Sequence, residues 1–114
     1  MFWSADKQFR VCCAVSKRYG STHASRQYWY AFLPKWYEFL REGKNSYLIL
    51  ACMDRDDAFV FSQAELDKYK DDFGVTERPN GSRYWHIELY EMNGELALQL
   101  HRIGTRVPIA RYRF

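Results

Sequence analysis

The residues with the most chemistry to offer lie on either side of one dipeptide. Asn93-Gly94 separates two alternating segments, 84–92 and 95–103. Asn-Gly accepts the left-handed backbone that a two-residue hairpin turn requires. Such a turn pairs Met92 with Glu95, and the rest of the register follows outward. Leu89 then faces Leu98 and Ile87 faces Leu100, which makes an apolar face. On the opposite face Tyr90 meets Ala97, Glu88 meets Gln99, and His86 meets His101. Directly opposed side chains have Cβ atoms roughly 5 Å apart. Two imidazoles and a carboxylate at that spacing could hold a divalent metal or act as acid and base. The plain expectation is an open polar sheet face with neither metal nor cofactor. Contact of His86 and His101 with a phosphate or base edge, beside Arg102, is the sharper reading. A metal-dependent nuclease-like enzyme centred on His86, Glu88 and His101 is the alternative.

Other catalytic patterns are weaker. Nucleases of the restriction-enzyme type combine an Asp with Glu-x-Lys on a following strand. Glu42-Gly43-Lys44 has those letters, but at a helix end. Glu65-Leu66-Asp67-Lys68 falls on an expected helix, and Asp54, Asp56 and Asp57 fall in an expected hairpin turn of solvated acids. Cys12, Cys13 and Cys52 lie in apolar strand-like runs without zinc-ligand spacing, so packed, reduced thiols are expected and a cysteine nucleophile is not. No Gly-rich phosphate loop or dinucleotide fingerprint is present. The expectation is therefore a non-catalytic protein.

Aromatic side chains make up 18% of the 114 residues, well above ordinary usage, and several sit near Arg and His. Net charge is only +3, but it is unevenly spread. Lys17, Arg18 and Arg26 come without an acid, as do Arg102, Arg106, Arg111 and Arg113, whereas the middle of the chain is acidic. Basic segments brought together beside stacking rings suit a polyanion with accessible bases. Trp29, Tyr30, Trp85 and His86 are expected to form part of an aromatic pocket. Lys17, Arg18, Arg26, Arg102 and Arg106, with His101, are expected to supply the basic rim. DNA is the expected partner, including a modified or flipped base. The same rings could instead be core and dimer interface, so a structural domain that forms a homodimer is the second alternative.

Three stretches carry a resemblance: Tyr28-Trp29-Tyr30-Ala31-Phe32, Leu50-Ala51-Cys52-Met53-Asp54 and Tyr84-Trp85-His86-Ile87. Together they resemble a small bacterial α+β family with Tyr-Trp-x-Ala-Phe and Tyr-Trp-His-Ile motifs. That family is similar to C-terminal modules of DNA-processing or restriction-modification defence proteins. The resemblance covers nearly the whole chain and implies DNA as partner. It carries over no catalytic residue.

The elements that must position these residues begin with the stretch 26–40. In an extended chain Tyr28, Tyr30 and Phe32 share one face and Trp29, Ala31 and Leu33 the other. Pro34 suits the first turn of a helix, Trp36, Phe39 and Leu40 make its apolar side, and Gly43 is expected as a left-handed stop. Before it, Phe9, Val11, Cys13 and Val15 alternate as a first strand, followed by a soft loop over 16–27. After it, 47–53 and 58–61 read as a hairpin. Ser62 with Glu65 reads as a capping box, with Leu66, Tyr69 and Phe73 as the stripe of a second helix that ends at Gly74. Residues 75–83 read as a loop, and 109–114 as a short edge strand. The expected fold is one α+β domain over 1–114. It has a mostly antiparallel, curved sheet of about six strands and two helices in the order ββαββαββ. No apolar run approaches a membrane span, and reduced cysteines suit the cytoplasm.

Overall fold

The computed structural model describes residues 2–3, 8–16, 26–52, 58–92 and 95–113, with side chains for 8–16, 28–52, 58–91 and 95–113. The protein is α+β, with two helices and mostly antiparallel strands. In chain order the elements are β1 (Phe2–Trp3), β2 (Phe9–Ser16), β3 (Arg26–Phe32), α1 (Pro34–Arg41), β4 (Asn45–Cys52) and β5 (Ala58–Ser62). Then come α2 (Gln63–Tyr69), β6 (Gly74–Glu77), β7 (Arg83–Met92), β8 (Glu95–Leu100) and β9 (Thr105–Pro108). The strands form two sheets rather than the single sheet expected. Sheet A has the order β1-β2-β4-β5, and sheet B has the order β3-β7-β8-β9 with β6 also paired to β7. The β2–β4 pair is parallel, because the chain leaves β2 for sheet B and returns through β3 and α1.

The two sheets face one another across a shared core. Alternation in β3 turns Tyr28, Tyr30 and Phe32 inward, where each is buried, and their register partners Leu89, Ile87 and Trp85 lie on the same side of β7. Leu48 and Leu50 of β4 and Phe59 and Phe61 of β5 supply the inner face of sheet A. Leu48 and Phe61 line the same small internal void as Ile87 and Leu98, so the opposing faces meet there. Tyr30 ties the sheets directly, its hydroxyl donating to the Ala51 carbonyl at 2.9 Å. A second tie is the Trp29 amide, which donates to Ser16 Oγ at 3.0 Å.

The helices close this core. Pro34 opens α1, which buries Phe39 and Leu40. Its exit differs from expectation: Gly43 is not left-handed, and Glu42 ends the helix in right-handed geometry. Gly43 is small for another reason. A Cβ there would meet Ser46 Oγ at 2.6 Å and Arg10 Cγ at 2.8 Å. Ser46 instead donates to the Leu40 carbonyl at 2.6 Å, satisfying one of the acceptors left over at the helix end. Ser62 caps α2 as expected, accepting from the Glu65 amide at 3.3 Å. The Glu65 carboxylate accepts from the Tyr112 hydroxyl at 2.7 Å, so it is recruited by the C-terminal segment. Helix α2 runs into a 3-10 turn at Lys70–Asp72, and Gly74, expected as a helix stop, begins β6, whose other residues fall in the stretch 75–83 expected to be a loop. The C-terminal segment also departs from expectation: β9 ends at Pro108, a 3-10 turn spans Ala110–Tyr112, and Arg113 makes a bridge to Phe59.

Candidate nucleic-acid interface

Sheet B has an outer face, and β7 is its axis. Tyr84, His86, Glu88 and Tyr90 alternate outward from the buried Ile87 and Leu89. In register, Ala31 and Trp29 of β3 lie opposite His86 and Glu88 on one edge. On the other edge Gly74 and Thr76 of β6 lie opposite His86 and Tyr84. The hairpin register is as expected for Leu89–Leu98 and Tyr90–Ala97. The turn residues Asn93 and Gly94 lie outside the described residues. The expected His86–His101 strand pair does not form, because β8 ends at Leu100, His101 opens a turn, and β6 takes that edge of β7. The turn nevertheless brings the two imidazoles together, with ring centroids 5.2 Å apart and an interplanar angle of 67°.

These side chains form one connected polar cluster. The His101 Nε2 atom lies 3.4 Å from Glu88 Oε1. The Tyr90 hydroxyl donates to the other carboxylate oxygen, Oε2, at 2.6 Å. Thr76 Oγ1 and His86 Nδ1 are hydrogen-bonded at 2.9 Å. The ring of His86 lies directly over Gly74, where a Cβ would come within 1.9 Å of Nε2. Glu88 is buried and these partners satisfy it, as a carboxylate away from water requires. Two arginines frame the same face: Arg78 stacks over Tyr84 at 4.8 Å and Arg106 over Tyr90 at 4.3 Å. Trp29 meets Tyr84 edge to face, with centroids 6.2 Å apart.

A cleft of about 350 Å³ opens where β7 begins. Trp85, Tyr84, Val75 and Pro34 give it apolar walls, and Lys70, Arg83 and Arg102 set three cations against the single carboxylate of Asp71. Packing against Phe32 and Tyr37 fixes the indole of Trp85, at centroid distances of 5.7 and 5.8 Å. Lys70 lies over both Trp85 and Tyr37 and pairs with Asp71 at 3.1 Å. The Arg102 amide donates to the Asp72 carbonyl at 3.2 Å, which anchors the turn carrying His101 and Arg102 to the end of the second helical segment. Burial and a hydrogen bond to Asp67 push the Tyr37 hydroxyl up to about 12, so it stays protonated beside this cleft.

The residues expected in one aromatic pocket are divided between two faces. Trp29 and His86 are on the outer face of sheet B, and Trp85 is on the side of β7 that meets the core and lines the cleft. Tyr30 is withdrawn from both: it is 2% exposed and bonded to sheet A. Burial pushes its hydroxyl far above the ordinary tyrosine range. Arg102 joins Trp85 in the cleft, while Arg106 and His101 border the outer face. Lys17 and Arg18 lie outside the described residues, as do the turn acids Asp54, Asp56 and Asp57. Arg26 pairs in register with Tyr90, its side chain outside the described set.

The nuclease-like letters do not converge. Glu42 pairs with Arg10 at 3.1 Å, Glu65 with Tyr112, and Asp67 accepts from Tyr37 and Gln63. Lys70 and Thr76 were not singled out from sequence, and Gly74 was read only as the end of a helix. Lys70 sits in a 3-10 turn with no periodic signature, and Gly74 and Thr76 belong to a strand too short to show its alternation. Arg78 and Arg83 fall within the stretch 75–83, which the sequence pattern reads only as a loop.

The opposite side of the molecule is different in kind. The outer face of sheet A forms an apolar groove lined by Phe9, Val11, Tyr47, Ile49, Ala58 and Val60. The fold and its surfaces thus define an α+β two-sheet domain with a basic, aromatic cleft on one sheet and an apolar groove on the other. No protein-family model, curated protein or solved structure matches this chain. No helix among the described residues is long and apolar enough to cross a membrane.

Proposed function

We propose that this chain is a non-catalytic recognition module for nucleic acid, DNA in the first instance. The observation that carries the proposal is the cleft at the head of β7. It places the fixed indole of Trp85 beside Lys70, Arg83 and Arg102 in a volume suited to a nucleotide. A base against the indole, with its phosphates toward the three cations, uses the aromatic and basic walls of the cleft. The framed aromatics Tyr84 and Tyr90 on the outer face of sheet B extend the path for neighbouring nucleotides. A cleft closed on one side suits an unpaired, modified or flipped base better than an intact duplex. The Tyr-Trp-x-Ala-Phe and Tyr-Trp-His-Ile motifs support a place beside DNA-processing or restriction-type defence proteins.

Fluorescence polarisation against single- and double-stranded DNA, plain and base-modified, at two salt concentrations tests this. Loss of one stacking ring costs about 1–3 kcal/mol, so Trp85→Ala is expected to weaken binding roughly 5- to 150-fold. Arg83→Ala and Arg102→Ala are each expected to lower the salt slope by about 1. Absence of binding to every form at low salt would overturn the proposal.

Self-association is a second reading, favoured by the apolar outer face of sheet A, where Phe9 is 45% exposed and Val15 is 60% exposed. A sedimentation-derived mass that rises with concentration and is reset by Phe9→Glu supports it. A constant monomer mass eliminates it.

A further inference from the structure

Away from the cleft, and independently of nucleic acid, we propose that His86, Glu88 and His101 form a binding site for a zinc-class divalent cation. One donor atom from each of the three lies within 4.8 Å of the others. Tetrahedral zinc with bonds of about 2.0–2.1 Å holds its donors about 3.3 Å apart. The contact from His101 Nε2 to Glu88 Oε1, at 3.4 Å, is already at that separation. It is long for a charge-assisted hydrogen bond, which closes to about 2.7–2.9 Å. The third donor, on His86, lies no farther than 4.8 Å from either of these atoms.

The surroundings are those a metal site needs. A ligating imidazole is held by a hydrogen bond at its other nitrogen. Thr76 Oγ1 lies 2.9 Å from His86 Nδ1, and with Nδ1–H donating to it the ring presents Nε2 to the metal. Tyr90 holds Glu88 Oε2 and leaves Oε1 as the oxygen facing His101. Gly74 is the cradle: any side chain there would displace the His86 ring. Two imidazoles and one carboxylate favour zinc, cobalt, nickel or copper over magnesium, which prefers an all-oxygen shell. Three protein donors leave a fourth position, on the solvent side beside His101, for water or a ligand.

The test is calorimetric titration of the full chain with zinc, with magnesium as the control, and with cobalt as a spectroscopic probe, all without nucleic acid. A single equivalent of zinc is expected, magnesium giving no heat. Cobalt is expected to show d–d absorption without a thiolate charge-transfer band. His101→Ala, on the exposed turn, and the isosteric Glu88→Gln are each expected to weaken zinc binding about ten-fold or more. Thr76 acts as a positioning residue, so Thr76→Val weakens binding by about ten-fold while Thr76→Ser restores it. Three outcomes would overturn the proposal: no stoichiometric binding, affinity unchanged in His101→Ala, or a thiolate band that places the metal on the exposed Cys13. Loss of DNA binding with zinc binding intact would reject the recognition proposal and leave this one standing.

Discussion

Gly74 and His86 face each other across the β6–β7 ladder, and their contact sets up a reversal of sign. An alanine Cβ at position 74 would lie 1.9 Å from His86 Nε2, 2.5 Å from Cε1 and 2.7 Å from Cδ2. Ordinary carbon contacts are about 3.5–4.0 Å, so the imidazole must leave. It is half-buried at the surface of sheet B and can swing outward, which puts the steric cost at the low end of the overpacking range, about 1 kcal/mol. Leaving also breaks the Thr76–His86 hydrogen bond, worth about 0.5–1.5 kcal/mol. Opposing this, replacing glycine restricts the unfolded chain and returns about 0.4–1 kcal/mol. Gly74 has no left-handed backbone that alanine would strain. The expected result is a net destabilisation of about 1 kcal/mol for Gly74→Ala in the natural sequence. In a His86→Ala background only the entropic part remains, and Gly74→Ala is expected to stabilise by about 0.4–1 kcal/mol. Urea unfolding followed by tryptophan fluorescence, on all four members of the double-mutant cycle, gives both numbers. The same effect of Gly74→Ala with and without the imidazole would refute the reasoning, because the contact would then not be what keeps position 74 a glycine.

Tyr30→Phe removes the hydroxyl that ties sheet B to the Ala51 carbonyl of sheet A, and is expected to cost about 1–2 kcal/mol in urea unfolding with DNA binding unchanged. A larger effect on DNA binding than on stability would put Tyr30 back at the interface. All three cysteines were expected to be packed, but only Cys12 and Cys52 are buried and Cys13 is exposed on the outer side of β2, so a thiol reagent is expected to modify a single equivalent in native protein and all three in denaturant. Fast native modification of more than one would contradict the inward placement of Cys12. Burial raises the Cys12 thiol from 9.0 to about 11, so the unfolded chain releases that proton first. The associated stability is complete below pH 9 and declines as pH rises toward 11, and Cys12→Ala should flatten this part of a urea-midpoint profile. An identical decline in the variant would assign it to the tyrosines instead.

Local pattern carries what was legible in advance. Strict alternation placed Tyr28, Tyr30 and Phe32 on one side of β3 and Cys12 opposite Cys13 on β2, because the period of a strand is fixed by its backbone. The Asn-Gly turn predicted the β7–β8 register from Met92 to Leu89, since a two-residue loop leaves no freedom in the pairing. Pro34 and Ser62 marked the two helix starts because each acts on groups within one turn of itself. Beyond that range the reading weakened. Gly43 and Gly74 looked like helix stops, yet their size answers to Ser46, Arg10 and His86, which approach from other elements. A glycine's sequence neighbours do not report which distant side chain will lie over it.

The candidate site divides along the same line. By itself the sequence determined that His86 and Glu88 share one face of a strand, and that Trp29 and Tyr30 point apart. It also determined that rings and cations recur near both ends of that region. Only the tertiary structure decided that Tyr30 is spent on holding two sheets together, that β6 rather than β8 lies beside His86, and that a turn returns His101 to the cluster. It alone joined Lys70, Arg83 and Arg102 around Trp85. The physical reason is that side-chain direction along a strand is a property of adjacent peptide units. Which strands become neighbours depends on how two amphipathic sheets bury their apolar faces against each other, which no local stretch of chain encodes alone.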